Sequence, residues 1–87
     1  MHFIYSSRFK KSIRKRPRRI QELVLERLEL FKVDRISPLL DDHPLGPPLV
    51  GMRSISVSGD LRIQYEFLAD DVIKLLDFGT HSELYGP

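Results

Sequence analysis

The 87-residue chain contains no cysteine. That excludes a disulfide, a thiolate nucleophile and a thiolate metal site, and it fits a reducing compartment. No apolar stretch approaches the length needed to span a membrane. The opening Met1-His2-Phe3-Ile4-Tyr5 is too short for a signal-peptide core and charge follows at once, so a cytoplasmic location is expected. There is no glycine-rich phosphate loop, no repeat and no low-complexity segment. Histidines stand at positions 2, 43 and 81 without carboxylates at fixed offsets, so no metal-ligand spacing is present. No cofactor is expected.

Acid is missing from one segment in particular. Arg8, Lys10, Lys11, Arg14, Lys15, Arg16, Arg18 and Arg19 lie within twelve residues that hold no Asp or Glu. The rest of the chain carries six basic and twelve acidic side chains, and the net charge is only +2. A segregated basic segment implies a polyanion or an acidic protein partner. A solvated helix face is the plainer reading of the same run.

What is present describes one domain, residues 1–87, with an ordinary apolar fraction of 41%. His2-Phe3-Ile4-Tyr5 reads as a short strand. Ser6 and Ser7 can cap a helix from Arg8 to Lys15, with Phe9 and Ile13 on its inner face. Pro17 separates it from a second helix, whose Ile20, Leu23, Val24, Leu28 and Phe31 fall at helical spacing. From Ile36 to Val50 the prolines at 38, 44, 47 and 48 imply a loop, pinned to the body by Leu39, Leu40, Leu45 and Leu49. Three strands follow: Met52 to Val57, Leu61 to Leu68 and Val72 to Phe78, joined at Ser58-Gly59-Asp60 and Ala69-Asp70-Asp71. The class is α+β, ordered β-α-α-β-β-β, with an αα-hairpin on one face of a small, mainly antiparallel sheet. Alternation puts Leu61, Ile63, Tyr65 and Phe67 under the helices and Arg62, Gln64 and Glu66 on the open face.

The last strand runs into Gly79-Thr80-His81-Ser82-Glu83-Leu84-Tyr85-Gly86-Pro87. An imidazole and a phenol four positions apart at a strand end offer proton transfer and base stacking. A frayed tail whose Tyr85 plugs the core is the alternative. With His43, Arg53, Asp60 and Arg62 these make a metal-free set of imidazole, guanidinium and phenol. Such groups suit phosphodiester cleavage, in which a base activates an RNA 2′-hydroxyl, cations stabilise the phosphorane and an acid protonates the leaving oxygen. Each has a plainer role too: a loop-pinning bond for His43, a surface ion pair for Arg53, turn formation for Asp60.

Four segments together carry a family resemblance: Asp42-His43-Pro44-Leu45, Gly51-Met52-Arg53, Asp60-Leu61-Arg62-Ile63-Gln64-Tyr65, and the tail from Gly79 to Gly86. They resemble the RelE/ParE toxin superfamily, and within it the YafQ-like branch of toxin–antitoxin ribonucleases. The motifs cover about the C-terminal half; length and element order extend the likeness to the whole chain. The resemblance implies a RelE-like fold and a toxin that cleaves mRNA, on the ribosome or free, held by a cognate antitoxin. It implies acid–base work for His81 and His43, phosphate support for Arg62, an acidic turn residue at Asp60 and nucleotide positioning by Tyr85. The basic residues Arg8, Lys10, Lys11, Arg14, Lys15, Arg18 and Arg19, with Arg53, would contact RNA. Two positions depart from the YafQ pattern: a second histidine falls at about Ser56 here, and an arginine at about Asp77. Leu61 replaces the aromatic that follows Asp60. A hybrid site with Arg62 and Arg53 supplying the missing cations is therefore expected. Two other functions remain open: a ParE-like gyrase poison, against which His81 argues, and an inactive member that only binds an antitoxin.

Overall fold

The alternating apolar residues of the second half become the centre of a five-stranded sheet, seen in a computed structural model that describes residues 1–86. The strands are β1 (His2–Tyr5), β2 (His43–Pro44), β3 (Arg53–Ser58), β4 (Leu61–Ala69) and β5 (Val72–Thr80). Their order across the sheet is β1-β5-β4-β3-β2. β1 lies parallel to β5, from His2 opposite Val72 to Tyr5 opposite Leu75, and every other pairing is antiparallel. The α+β class matches the expectation, and the expected β-α-α-β-β-β order is found with β2 and a final helix added to it. The parallel pairing of the two chain ends is the feature that local sequence did not specify.

Helix α1 (Ser7–Arg14) starts where Ser6 Oγ accepts from the Phe9 amide at 3.0 Å. The same hydroxyl donates to the Leu76 carbonyl at 2.7 Å, so one cap both starts the helix and ties it to β5. Pro17 then opens α2 (Arg18–Val33). Gln21 of α2 donates to the Ile13 and Arg16 carbonyls at 3.2 and 3.0 Å. These bonds tie the start of α2 to the carbonyls that close the end of α1.

The core lies between this helix pair and one sheet face. Phe9, Val24, Leu28 and Phe31 meet Ile55, Val57, Ile63, Tyr65, Ile73, Leu75 and Phe78, with Leu40 from the proline-rich segment. Ile63 and Tyr65 are buried as expected and Leu61 packs partly against the core. Phe67, expected under the helices, is instead 38% exposed. Its ring is covered instead by the Arg35 guanidinium, 4.7 Å from the centroid.

Three local expectations are corrected. The segment from Ile36 to Val50 is not all loop: Pro38–Leu40 forms a 3-10 turn capped by Ser37, and His43–Pro44 forms the edge strand β2. Proline is tolerated there because an edge strand leaves one side of its ladder unpaired. The 3-10 turn buries Leu40 but directs Leu39 to solvent, so Leu39 does not pin the loop. The tail is also regular. A third helix, α3 (His81–Tyr85), begins as soon as β5 ends.

Burying Tyr65 requires a partner for its hydroxyl. The phenol donates to Asp42 Oδ1 at 2.6 Å, and Arg53 Nε donates to both that oxygen and the Tyr65 oxygen at 3.1 Å. Burial first, and then the bond to Asp42, push the Tyr65 phenol well above its ordinary value. Asp42→Ala removes the acceptor of a buried phenol proton and the counter-charge of a partly buried guanidinium. It should lower unfolding free energy by about 1–3 kcal/mol in urea titration. Tyr65→Phe should cost less, since Arg53 keeps its carboxylate. Equal losses in the two variants would mean that the carboxylate is not the hub.

Candidate active site

Four elements deliver side chains to one small pocket on the sheet face away from α1 and α2. β2 contributes His43, β3 contributes Ser54, β4 contributes Arg62 and α3 contributes His81 and Tyr85, with Leu45 closing one side; the hollow holds about 170 Å³. Strand alternation explains the face: Ile55 and Val57 enter the core while Ser54 and Ser56 point the other way.

The tail reaches the pocket through a capping box. Thr80 Oγ1 accepts from the Glu83 amide at 3.2 Å, and Glu83 Oε1 accepts from the Thr80 amide at 2.7 Å. The spacing of four between His81 and Tyr85 thereby becomes one helical turn, with ring centroids 4.7 Å apart and planes tilted by 53°. Glu83 also pairs with Arg16. This contact joins the end of the basic segment to α3. Gly79 leaves it room: a Cβ there would lie 3.1 Å from Glu83 Oε1 and 3.2 Å from Glu83 Cβ, close enough that the Glu83 side chain would have to shift by a few tenths of an ångström.

Arg62 Nη1 donates to the Gly59 carbonyl at 2.7 Å and to Ser56 Oγ and the Leu61 carbonyl at 3.2 Å. These bonds hold the guanidinium by one nitrogen. Among the described residues, Nε and Nη2 have no protein partner, so part of the fork is available to an anion. His43 Nδ1 lies 2.7 Å from the Asp41 carbonyl. A carbonyl only accepts, so Nδ1 carries the hydrogen and Nε2 of the neutral ring keeps its lone pair. Ser54 is 1% exposed, and among the described residues its hydroxyl has no partner. Sequence reading missed Ser54, since a lone strand serine carries no signal. It also missed Glu83 and Arg16, although Thr80-Ser82-Glu83 shows capping-box spacing.

Of the predicted site residues, His43, Arg62, His81 and Tyr85 line the pocket, whereas Arg53 and Asp60 do not. Arg53 alternates with Ser54, so its side chain passes to the other face and is held by Asp42 and Tyr65. It does not supply the site with a cation. Asp60 is exposed in the β3–β4 turn beside Gly59, whose φ of +52° suits glycine. Its role is the turn. The two departures have structural uses as well. Ser56 accepts from Arg62, and Asp77 Oδ1 accepts from Ser12 Oγ and the Phe78 amide, each at 2.8 Å. Arg8, Lys10, Lys11, Arg14, Lys15, Arg18 and Arg19 are all exposed, and Arg18 pairs with Glu22 at 3.4 Å.

No protein-family profile and no curated protein matches the chain. Solved structures do. A structure of YafQ from E. coli strain BL21(DE3) superposes with a TM-score of 0.80 at 24% identity, covering 97% of each chain. A copper-bound mutant toxin from Helicobacter pylori gives 0.74 at 26%, covering 98% of this chain and 99% of its own. The E. coli DinJ–YafQ complex gives 0.68 at 26%, covering 97% of each. This chain has the fold of the YafQ-type toxins in the RelE/ParE superfamily. The likeness to the YafQ structures covers 97% of this chain.

The Glu83 carboxyl is held below its usual range, first by the Thr80 backbone N–H and then by Arg16. A lowered value in the folded state means that its contribution is present above the unfolded carboxyl value and is lost as pH falls through the folded one. Acidification below about pH 4 should therefore loosen α3 before the sheet melts. Amide exchange across residues 81–85 would read it. Glu83→Gln keeps the capping geometry but not the charge, so it should flatten that pH dependence. An unchanged acid transition in Glu83→Gln would show that another group controls α3.

Proposed function

We propose that this chain is the toxin of a type II toxin–antitoxin pair and that it cleaves mRNA without a metal ion. The observation that carries this reading is the convergence of two imidazoles, one guanidinium and one phenol on a single pocket. His43 Nε2 takes the 2′-hydroxyl proton, and the 2′-oxygen attacks the neighbouring phosphorus. Arg62 stabilises the charge that develops on the phosphorane. His81 protonates the departing 5′-oxygen. The products are a 2′,3′-cyclic phosphate and a 5′-hydroxyl. Tyr85 holds the nucleotide by stacking.

The partner is a protein as well as RNA. The similar structures include a DinJ–YafQ complex and the RelBE2 toxin–antitoxin complex of Mycobacterium tuberculosis. Between α1 and α2 this chain has a hollow of about 500 Å³, where Phe9, Ile13, Val24 and Leu25 are flanked by Lys10 and Arg14. Such an apolar floor with a cationic rim fits an acidic, amphipathic segment of a cognate antitoxin that folds on binding. Ser56 and Asp77, where the YafQ pattern has histidine and arginine, favour a second reading: an inactive member that only binds its antitoxin. A gyrase-directed poison would need none of the acid–base groups.

His81→Ala and Arg62→Ala should each slow RNA cleavage by about 10²–10⁴-fold and relieve growth arrest, with antitoxin binding retained. Full toxicity of His81→Ala would turn the reading toward the gyrase poison, and a wild type without RNase activity toward the inactive member. Cleavage should persist in excess chelator and leave cyclic-phosphate ends; a requirement for added Mg²⁺ would overturn the metal-free scheme.

The exposed cations of α1 set affinity through phosphate charge. Reversing Arg8, Lys11 and Lys15 should weaken RNA binding and shallow its salt slope by about one unit per lost phosphate contact. An unchanged slope would leave the segment as a solvated face.

A further inference from the structure

Beside the candidate pocket lies a second hollow of about 410 Å³, walled by Leu45, Pro47, Pro48, Leu49, Leu84 and Tyr85. Leu45 and Tyr85 belong to both cavities. We infer that this hollow is a subsite for the nucleobase next to the scissile phosphate. The inference rests on the RNA-cleavage reading above.

Chemistry separates the two cavities. One is lined by imidazoles and a guanidinium, which select a phosphate and its ribose oxygens. The other carries no charged side chain; its walls are aliphatic groups, proline rings and one phenol. A group that fills both must be anionic at one end and flat and apolar at the other, with the two ends joined past Tyr85. A nucleotide has that form. Bases stack on aromatic faces with little sequence demand, because every base presents a π-face. The Tyr85 hydroxyl is enclosed, and among the described residues it has no hydrogen-bond partner. That enclosed oxygen is out of a ligand's reach, so the ring face of Tyr85 is the part a base would meet.

The hollow is also preformed. The Leu45 amide donates to the Met52 carbonyl at 2.9 Å, the Leu49 amide to Gly46 at 2.9 Å, and the Met52 amide to Leu49 at 3.0 Å. These bonds close the proline-rich loop on itself, so little order remains to be gained on binding.

Two oligoribonucleotides that differ only in having a base or an abasic sugar beside the cleaved phosphate test this. Each side of the phosphate is tried in turn. The wild type should cleave the base-bearing strand about tenfold faster or more on one side. Leu49→Ala and Pro47→Ala, which widen the hollow, should bring that ratio toward one while cleavage of the abasic strand stays constant. A wild-type ratio near one on both sides, or the same ratio in the variants, overturns the subsite. A 2′-deoxy strand carrying 2-aminopurine gives an arm independent of catalysis. Quenching by the wild type that weakens in both variants supports the subsite even if no RNA is cut, in which case only the functional reading fails. Absence of quenching in the wild type overturns it.

Discussion

Asp42 accepts two hydrogen bonds from the core side of the sheet, and the position of the proline-rich segment depends on them. The carboxylate is 10% exposed and is shared by the Tyr65 phenol and the Arg53 guanidinium. A partly buried ion pair of this kind adds little net stability, because desolvation offsets most of the attraction. What it does fix is location. Moving Asp42 would leave the Tyr65 O–H without an acceptor and the Arg53 guanidinium without a counter-charge, which favours one position for the chain between Ser37 and Leu45. His43 follows immediately on the opposite face of the sheet, and its orientation is inherited from Asp42.

A second carboxylate–arginine pair does the same on the other side of the pocket. Glu83 closes the capping box of a helix too short to be stable by itself, and Arg16 holds that helix to the end of the basic segment. The pocket therefore stands between two arms that are each anchored outside it. His43 and Tyr85 need no direct bond to one another. Preorganisation of this kind is what electrostatic catalysis requires, since groups that are already placed do not reorganise as charge develops.

The basic segment and the pocket occupy different parts of the surface, joined at Arg16. Most of its cations are exposed and lack acidic neighbours. A polyanion drawn to α1 would lie near α3, because Lys15 and Arg16 share a polar hollow with Glu83 and Leu84. Under the proposed function, charge serves encounter and affinity, while the four pocket residues serve chemistry. The apolar hollow between α1 and α2 is separate from the pocket but takes Lys10 and Arg14 of the basic segment into its rim.

Much of this was legible in order. The helical spacing of Val24, Leu28 and Phe31, the alternation of Ile63 and Tyr65, and the glycine turn before Arg62 each follow from periodicity and local backbone preference, which act over a few residues. The tail signal was also local, since His81 and Tyr85 need only one helical turn to meet. Arg53 and Asp60 were misplaced for a different reason. Residue type marked them as candidates, but strand alternation and a turn sent their side chains elsewhere. Composition, charge segregation and the order of elements were determined by the sequence alone. The tertiary structure decided the parallel pairing of β1 with β5, the insertion of His43 as an edge strand, and the meeting of His43, Arg62 and His81. Those contacts span tens of residues, and no local propensity encodes them: they form only when one shared core makes burial of all the elements favourable at once.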